Sequence, residues 1–250
     1  MAKCKASPAV SALQREFIIR RDEEQAAHLM CFFKTGPGQY GEGDRFLGIK
    51  VPVTRSLVKA YAAEATPADC DFLVQSEWHE VRLAGFLLMV EMAKRRAKTH
   101  DIEGVREVVD LYDKRLERAN NWDLIDLSVK DILFPFWTSS KAGAKERLRL
   151  LDRWADSGML WRERAAMVGT LAAQKLGSLD ETFRLAERFI VHPHDLMHKA
   201  SGWMLREAGK KDLDALRAFL AAFHKKLPRT ALRYAIERMA PAERQKWMAR

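Results

Sequence analysis

The hydrophobic residues of this chain repeat with the period of an α-helix along almost its whole length. Apolar side chains recur three and four residues apart, whereas the alternating runs typical of strands are hard to find. This pattern predicts helices over residues 9–20, 23–34, 53–63, 67–76, 79–98, 102–118, 142–155, 160–175, 179–189, 195–210, 213–224, 229–239 and 242–249. A chain of amphipathic helices must bury its apolar faces helix against helix, so we expect an all-α fold.

The predicted helices form pairs of roughly 35–45 residues with short connections, the span of HEAT and armadillo repeats. No linker rich in Pro, Gly or Ser divides the chain. We therefore expect residues 1–250 to form a single domain, a HEAT/armadillo-like α-solenoid of paired antiparallel helices. A curved stack of this kind has a concave side, and the net charge of +9 permits a basic groove there that binds a polyanion.

Composition excludes several other classes of protein. With 48% hydrophobic and 31% charged residues the chain is globular. No apolar run approaches the ~20 residues that span a bilayer, and no apolar signal-peptide core follows Met1, so we expect a cytoplasmic monomer without a membrane partner. Cys4, Cys31 and Cys70 lack metal-ligand spacing, and His192 and His194 have no second pair. We expect neither a metal nor a cofactor.

A glycine-rich segment, residues 35–44, resembles a phosphate-binding loop at first sight. However, no Gly-Lys-Ser/Thr follows it, no strand precedes it and Pro52 interrupts the residues after it. We therefore interpret the segment as an ordinary loop.

The stretch from Asn120 to Ser128 places a tryptophan and two carboxylates at the start of a predicted helix. On the wheel of a single helix that continues to Leu133, Asp126 lies roughly 40° from Trp122, at the edge of an apolar arc, while Asp123 turns toward solvent. A half-buried carboxylate beside an indole is a candidate general base. The alternative is an edge carboxylate that only binds the next helix.

Two later helices repeat this combination. Arg164 and Lys175 share an edge next to the apolar arc that contains Trp161, where long stems can also simply cover apolar surface. Trp203 lies far from the apolar centre of its helix, beside Lys199 and Arg206. This arrangement suits a sugar or base next to phosphates, or else a cation–π cluster on the surface. Further cations follow late in the chain, at Lys225, Lys226, Arg229, Arg233 and Arg238.

Taken together, the chain resembles the AlkD-like family of bacterial DNA alkylation-repair glycosylases, which are built of HEAT-like repeats. Four segments carry the resemblance in the expected order: FLGIKVP (46–52), WDLID (122–126), WRERAA (161–166) and KASGWMLRE (199–207). The chain departs from the family pattern at Asn121, where an aromatic residue can precede the tryptophan, and in the glycine-rich segment, which looks like an insertion.

The resemblance implies roles for individual residues. Asp126 corresponds to the catalytic carboxylate, and Trp122 and Trp203 correspond to the tryptophans that flank the deoxyribose of the lesion. Arg164 corresponds to an arginine at the nearby phosphate, and Lys34 to a cation of the cleft. Lys199, Arg206 and Arg229 are further candidates for contacts with DNA.

The implied reaction is hydrolysis of the N-glycosidic bond of purines alkylated at N3 or N7 in duplex DNA, as in base excision repair. Such a base is already cationic, so one carboxylate suffices. No lysine is evidently placed to form a Schiff base, which predicts a monofunctional glycosylase. The alternative is a non-enzymatic α-solenoid that binds nucleic acid or a protein through the same groove.

Overall fold

In a computed structural model that describes residues 7–140 and 144–249, the chain is helical, and the all-α prediction is confirmed. Within these residues the one extended pairing is an isolated bridge between Arg45 and Trp78. The α-helices are α1 (Pro8–Ile19), α2 (Glu23–Phe32), α3 (Val51–Tyr61), α4 (Pro67–Leu73), α5 (His79–Lys98), α6 (Ile102–Lys114), α7 (Trp122–Asp126), α8 (Val129–Ser139), α9 (Ala144–Ala155), α10 (Leu160–Lys175), α11 (Asp180–Arg188), α12 (Asp195–Gly209), α13 (Leu213–Phe223), α14 (Arg229–Ala235) and α15 (Pro241–Met248).

Several helix starts have a local cause in the sequence. Ser7, Asp22, Asp101 and Asp212 each accept a hydrogen bond from a backbone N–H of the first turn of the helix that follows. Thr66 and the carboxylate three residues later form a reciprocal capping box at α4. The predicted bounds of α5 and α10 are confirmed. The first two residues predicted for α9 lie outside the described residues.

The chain divides into two compact units, Met1–Ser140 and Lys141–Arg250. In the first unit α5 is the central helix, and α3, α4, α6 and α8 pack against it. Most of α5 is buried, because residues from Val81 to Ala93 contribute to the core on nearly every side. In the second unit α12 is central, and α10, α11, α13 and α14 pack on it.

Within each unit, helices pack mainly on helices close to them along the chain. This pattern of local contacts is that of an α-solenoid, in agreement with the predicted fold class. A single domain over residues 1–250 stays a prediction. No helix in the described part of the chain is long and apolar enough to cross a membrane.

Candidate active site

The helix α7, Trp122–Asp126, is shorter than the sequence pattern predicted. Asn121 caps it, with extended backbone and a side chain that accepts from the N–H of Trp122 at 2.9 Å. The helix ends at Asp126, since the N–H of Ser128 donates to the carbonyl of Ile125 at 3.1 Å while its hydroxyl donates to the carbonyl of Leu124, and α8 then starts at Val129. A single helix through both segments is therefore wrong. Trp122 and Asp126 lie at the two ends of one short helix instead, both half-buried.

Trp122 lies on an aromatic stack. Its ring stacks on Phe33, with centroids 5.2 Å apart and an angle of 27°, and Phe33 stacks in turn on Phe46 at 5.1 Å. Phe32 meets the Trp122 ring edge-on at 6.1 Å, and 56% of Phe32 is exposed. The indole therefore has a fixed orientation and an exposed aromatic neighbour, which suits a surface for stacking on a flat or sugar-like group.

Asp126 lies at the end of α7 and is half-buried, which is the degree of burial that the helical wheel predicted. Lys130 donates to its backbone carbonyl at 3.0 Å and to Asp131 at 2.9 Å. The Asp126 carboxylate is close to the buried hydroxyl of Tyr112. Burial above all, together with the charge of Asp126, raises the pKa of Tyr112, so this phenol stays protonated at neutral pH.

Asp123 is buried, with 3% of its surface exposed, and the prediction that it turns toward solvent is wrong. The reason is a partner 44 residues earlier in the chain. The Nε2 atom of His79 lies 2.9 Å from Oδ2 of Asp123, and the Nδ1 atom lies 2.8 Å from Oδ2 of Asp44. Arg82 binds the other oxygen of Asp44. A buried charge network thus lies directly behind the first turn of α7.

The protonation of His79 follows from this environment. Burial alone would lower its pKa, but the two adjacent carboxylates outweigh that effect and raise the pKa to about 9. Burial alone would raise the pKa of Asp44, but its hydrogen bonds with His79 and Arg82 and their positive charges lower it below the ordinary value. At neutral pH His79 is therefore protonated, and it donates a hydrogen bond from each ring nitrogen.

The segment FLGIKVP is explained by its contacts with α5. The buried carboxylate of Glu80 accepts hydrogen bonds from the backbone N–H groups of Leu47, Gly48 and Ile49, at 2.9–3.1 Å. Gly48 has φ of +90°, and a Cβ there would lie 2.0 Å from the carbonyl oxygen of Asp22. Only glycine fits this position. The segment thereby fixes Phe46, the last ring of the stack formed by Trp122, Phe33 and Phe46.

Sequence reasoning missed His79, Asp44, Arg82 and Glu80. A signal for three of them was available in His79-Glu80-Val81-Arg82, where polar residues open a helix that is otherwise almost wholly apolar for three turns. Polar residues at such positions need partners from elsewhere in the fold, which no local pattern identifies.

The glycine-rich segment forms a loop, as predicted, and its N–H groups bind the loop itself. Gly36 donates to the Gln39 side chain at 3.1 Å and Gly38 to Glu42 at 2.9 Å, which leaves no phosphate cradle at these two groups. A Cβ at Gly41 would lie 2.5 Å from the carbonyl oxygen of Phe33. The loop thus packs against the backbone of Phe33, whose ring stacks on Trp122.

In the second unit, Arg164 does not share with Lys175 the edge beside the apolar arc that the sequence predicted for both residues. It is 4% exposed, and its Nη1 atom donates to the carbonyl of Leu196 at 2.5 Å, whereas Lys175 is exposed. Arg164 therefore joins α10 to the first turn of α12. The Nε2 atom of His192 donates across the same junction to the carboxylate of Glu163, at 3.0 Å.

Trp203 is half-buried on α12, and its neighbouring cations are in ion pairs. Lys199 lies 2.9 Å from Asp195, and Arg206 contacts both Glu207 and Glu237. The backbone behind Trp203 is tightly packed. A Cβ at the preceding residue, Gly202, would lie 2.4 Å from the carbonyl oxygen of Ala231, so this glycine lets α12 approach α14.

The remaining candidates for DNA contacts lie in different environments. Lys34 is exposed directly after Phe32 and Phe33 and has φ of +56°. Arg229 is half-buried and donates to the carbonyl of Met248 at 3.0 Å. In the described residues no cluster of three or more His, Cys, Asp or Glu could bind a metal ion. Convergence of the residues of the first unit with Arg164 and Trp203 stays a prediction.

Comparison with known proteins agrees with this description. Residues 13–239 match the family described as DNA alkylation repair enzyme. A solved structure described as a predicted DNA alkylation repair enzyme from Enterococcus faecalis has the same fold, with a TM-score of 0.66. It is 16% identical, and the match covers 88% of this chain and 97% of that one. No curated protein matches. Because the family match extends over most of the sequence, this chain belongs to the DNA alkylation repair enzyme family.

Proposed function

We propose that this protein is a DNA glycosylase that hydrolyses the N-glycosidic bond of cationic N3- and N7-alkylated purines in duplex DNA. The observation that carries the proposal is the pairing of Trp122 and Asp126 on α7, with both side chains half-buried and the helix fixed from behind. A half-buried carboxylate is partly desolvated and still partly accessible, which suits a group that stabilises a reacting sugar.

The chemistry needs little more than this carboxylate. An alkylated purine with a positive charge leaves as a neutral base and needs no general acid. The sugar then develops positive charge at the anomeric carbon, as in other glycosidic cleavages. Asp126 stabilises that charge or orients the attacking water, and the bond between water and the anomeric carbon completes hydrolysis.

The tryptophan adds to the same stabilisation. Trp122 cannot turn away from the site easily, because one face stacks on Phe33. An electron-rich indole face attracts a cationic sugar, which is the physical basis of cation–π binding. We propose the same role for Trp203, as the family resemblance implies.

Contacts with the DNA backbone fall into two groups. Lys34 is exposed, and Lys199 is in a surface ion pair that costs little to exchange for a phosphate. Arg206 is less exposed but also pairs with surface carboxylates. Arg164 and Arg229 bind carbonyl oxygens, so either must rearrange, or share its donors, to contact a phosphate.

The test is release of 7-methylguanine from methylated duplex DNA under single-turnover conditions. We expect wild type to release the base and Asp126→Asn to be slower by about 100-fold or more. Asp131→Asn is a matched control, because Asp131 is also half-buried, near Asp126 in sequence and paired with Lys130. It should remain within a few-fold of wild type, as surface ion pairs contribute little.

Two outcomes would overturn the proposal. Wild-type protein that binds DNA but releases no base would favour the non-enzymatic α-solenoid. An Asp126→Asn variant as fast as wild type would leave a glycosylase with a different catalytic residue. We also propose a monofunctional enzyme, so borohydride should trap no covalent complex between the protein and damaged DNA.

A further inference from the structure

His79 joins two separate segments of the first unit at the point where α7 begins. It lies at the N-terminus of α5 and is 1% exposed. One ring nitrogen contacts Asp44, at the end of the glycine-rich segment, and the other contacts Asp123, in the first turn of α7. Neither contact is local in sequence, so the geometry exists only in the folded unit.

The two carboxylates depend on His79 to different degrees. Asp44 also binds Arg82 and accepts from the N–H of Arg45 at 3.0 Å. Asp123 has its hydrogen bond from His79, while its second oxygen, Oδ1, is buried without a hydrogen-bond partner. A buried carboxylate with so few donors is costly unless a positive charge lies beside it. His79 supplies that charge.

The imidazole ring also supports Trp122. It stacks on Phe46 with centroids 4.3 Å apart and lies 5.2 Å from Phe33, the ring on which Trp122 stacks. Two successive residues of α7, Trp122 and Asp123, are thus fixed by the same group. This matters because α7 has five residues, and a helix so short is not stable by itself.

We propose that His79 is a positioning residue for base release: it fixes α7 through Asp123 and the aromatic stack, so that Trp122 and Asp126 meet the sugar in reactive geometry. This inference rests on the proposed glycosylase function. His79 is buried and acts through its neighbours, so it contacts no substrate itself. Misplacement of about 1 Å by a change outside the reacting groups can cost about 100-fold in rate.

The test compares His79→Gln and Asp123→Asn with a control that is equally buried. The control is Asp69→Asn, because Asp69 is 3% exposed in the same unit and accepts hydrogen bonds from Ser7 and Thr66, not from α7. All three variants should lose stability. Only His79→Gln and Asp123→Asn should lower the single-turnover rate of 7-methylguanine release, by about tenfold to 100-fold, with duplex affinity nearly unchanged.

A pH profile separates positioning from simple destabilisation. Asp44, Asp123 and, on its own helix, Arg82 are the charged groups around His79, and Arg118 lies within electrostatic reach of Asp44. A neutral imidazole has one N–H group instead of two, so one of the two carboxylates loses its hydrogen bond from His79. The wild-type rate, corrected for uncatalysed release, should therefore fall as pH rises through about 9. His79→Gln should lack this decrease.

The outcomes are distinct. Wild-type protein that releases no base overturns the proposed function, and this inference with it. Active wild type with His79→Gln at the same rate and the same pH profile overturns this inference alone. If His79→Gln does not fold, nitrogen NMR of wild type decides instead, together with the rate of Asp123→Asn. Two protonated ring nitrogens at neutral pH and a slow Asp123→Asn support the inference, and a neutral imidazole or a wild-type rate overturns it.

Discussion

The two tryptophans of the candidate site lie on helices that are stabilised in different ways. The helix of Trp122 depends on buried charge, because His79 and Asp123 contact each other with almost no exposure to water. The helix of Trp203 depends on close backbone packing at Gly202, and its charges pair at the surface. The difference shows which charges can change partners. A buried pair is expensive to break, whereas an exposed pair can exchange a carboxylate for a phosphate at little cost.

The largest effect should follow from removing a buried partner. Asp123→Ala leaves His79 without one of its two carboxylates and should destabilise the protein by about 3–5 kcal/mol. Lys199 forms an exposed ion pair with Asp195 on the helix of Trp203. Lys199→Ala should therefore destabilise the protein by less than about 1 kcal/mol. Thermal or urea unfolding of both variants measures this contrast. Equal losses would remove the distinction between the two helices.

The same contrast predicts a dependence on alkaline pH. The pKa of His79 rises from the ordinary value of 6.5 to about 9 in the folded protein. Its contribution to stability is therefore fully present below pH 6.5 and is lost as pH rises through about 9, on the order of 3 kcal/mol. Unfolding midpoints of wild type should fall over this interval, and those of His79→Gln should fall much less. A wild-type midpoint constant across the interval would contradict a protonated His79.

The success of the sequence analysis followed the range of the interactions involved. The first and last residues of helices α5 and α10 could be predicted, because the apolar repeat is a local property of the sequence. The break after α7 could not, because it consists of a change at one residue: the N–H of Ser128 donates to the carbonyl of Ile125 instead of that of Leu124, and the apolar repeat carries no sign of this change. On a wheel this stretch continues as a helix without interruption.

The candidate site shows the same limit. The half-buried position of Asp126 could be predicted from its neighbours on α7. The burial of Asp123 and Arg164 could not, since their partners are 44 and 32 residues away. A charge at the edge of an apolar arc looks identical in sequence whether it faces water or a partner on another helix. The family resemblance implied roles for Asp126 and Arg164 without indicating which of the two is buried.

A smaller effect should come from the packing under Trp203. Gly202→Ala places a methyl group 2.4 Å from the carbonyl oxygen of Ala231, so α12 and α14 must separate slightly. We expect a loss of about 1–3 kcal/mol, as for other overpacked contacts. Ser201→Ala is the matched control, because the buried hydroxyl of Ser201 has no hydrogen-bond partner and its removal should be neutral or stabilising. Unfolding midpoints that rank the two variants in the opposite order would contradict packing as the cause.

The smallest effect on stability should belong to the surface cations near Trp203, and there DNA binding is the informative measurement. Lys199→Gln with Arg206→Gln should change stability by less than about 1 kcal/mol for each pair. If both side chains exchange their carboxylates for phosphates, the slope of log affinity against log salt should become shallower by about 2, since each contact with duplex DNA contributes about 0.9. Arg217→Gln removes a cation of α13 that pairs with Asp214 and Glu243 and should leave the slope unchanged. An unaltered slope in the double variant would mean that these cations serve α12 alone, and that the second unit binds DNA through other residues.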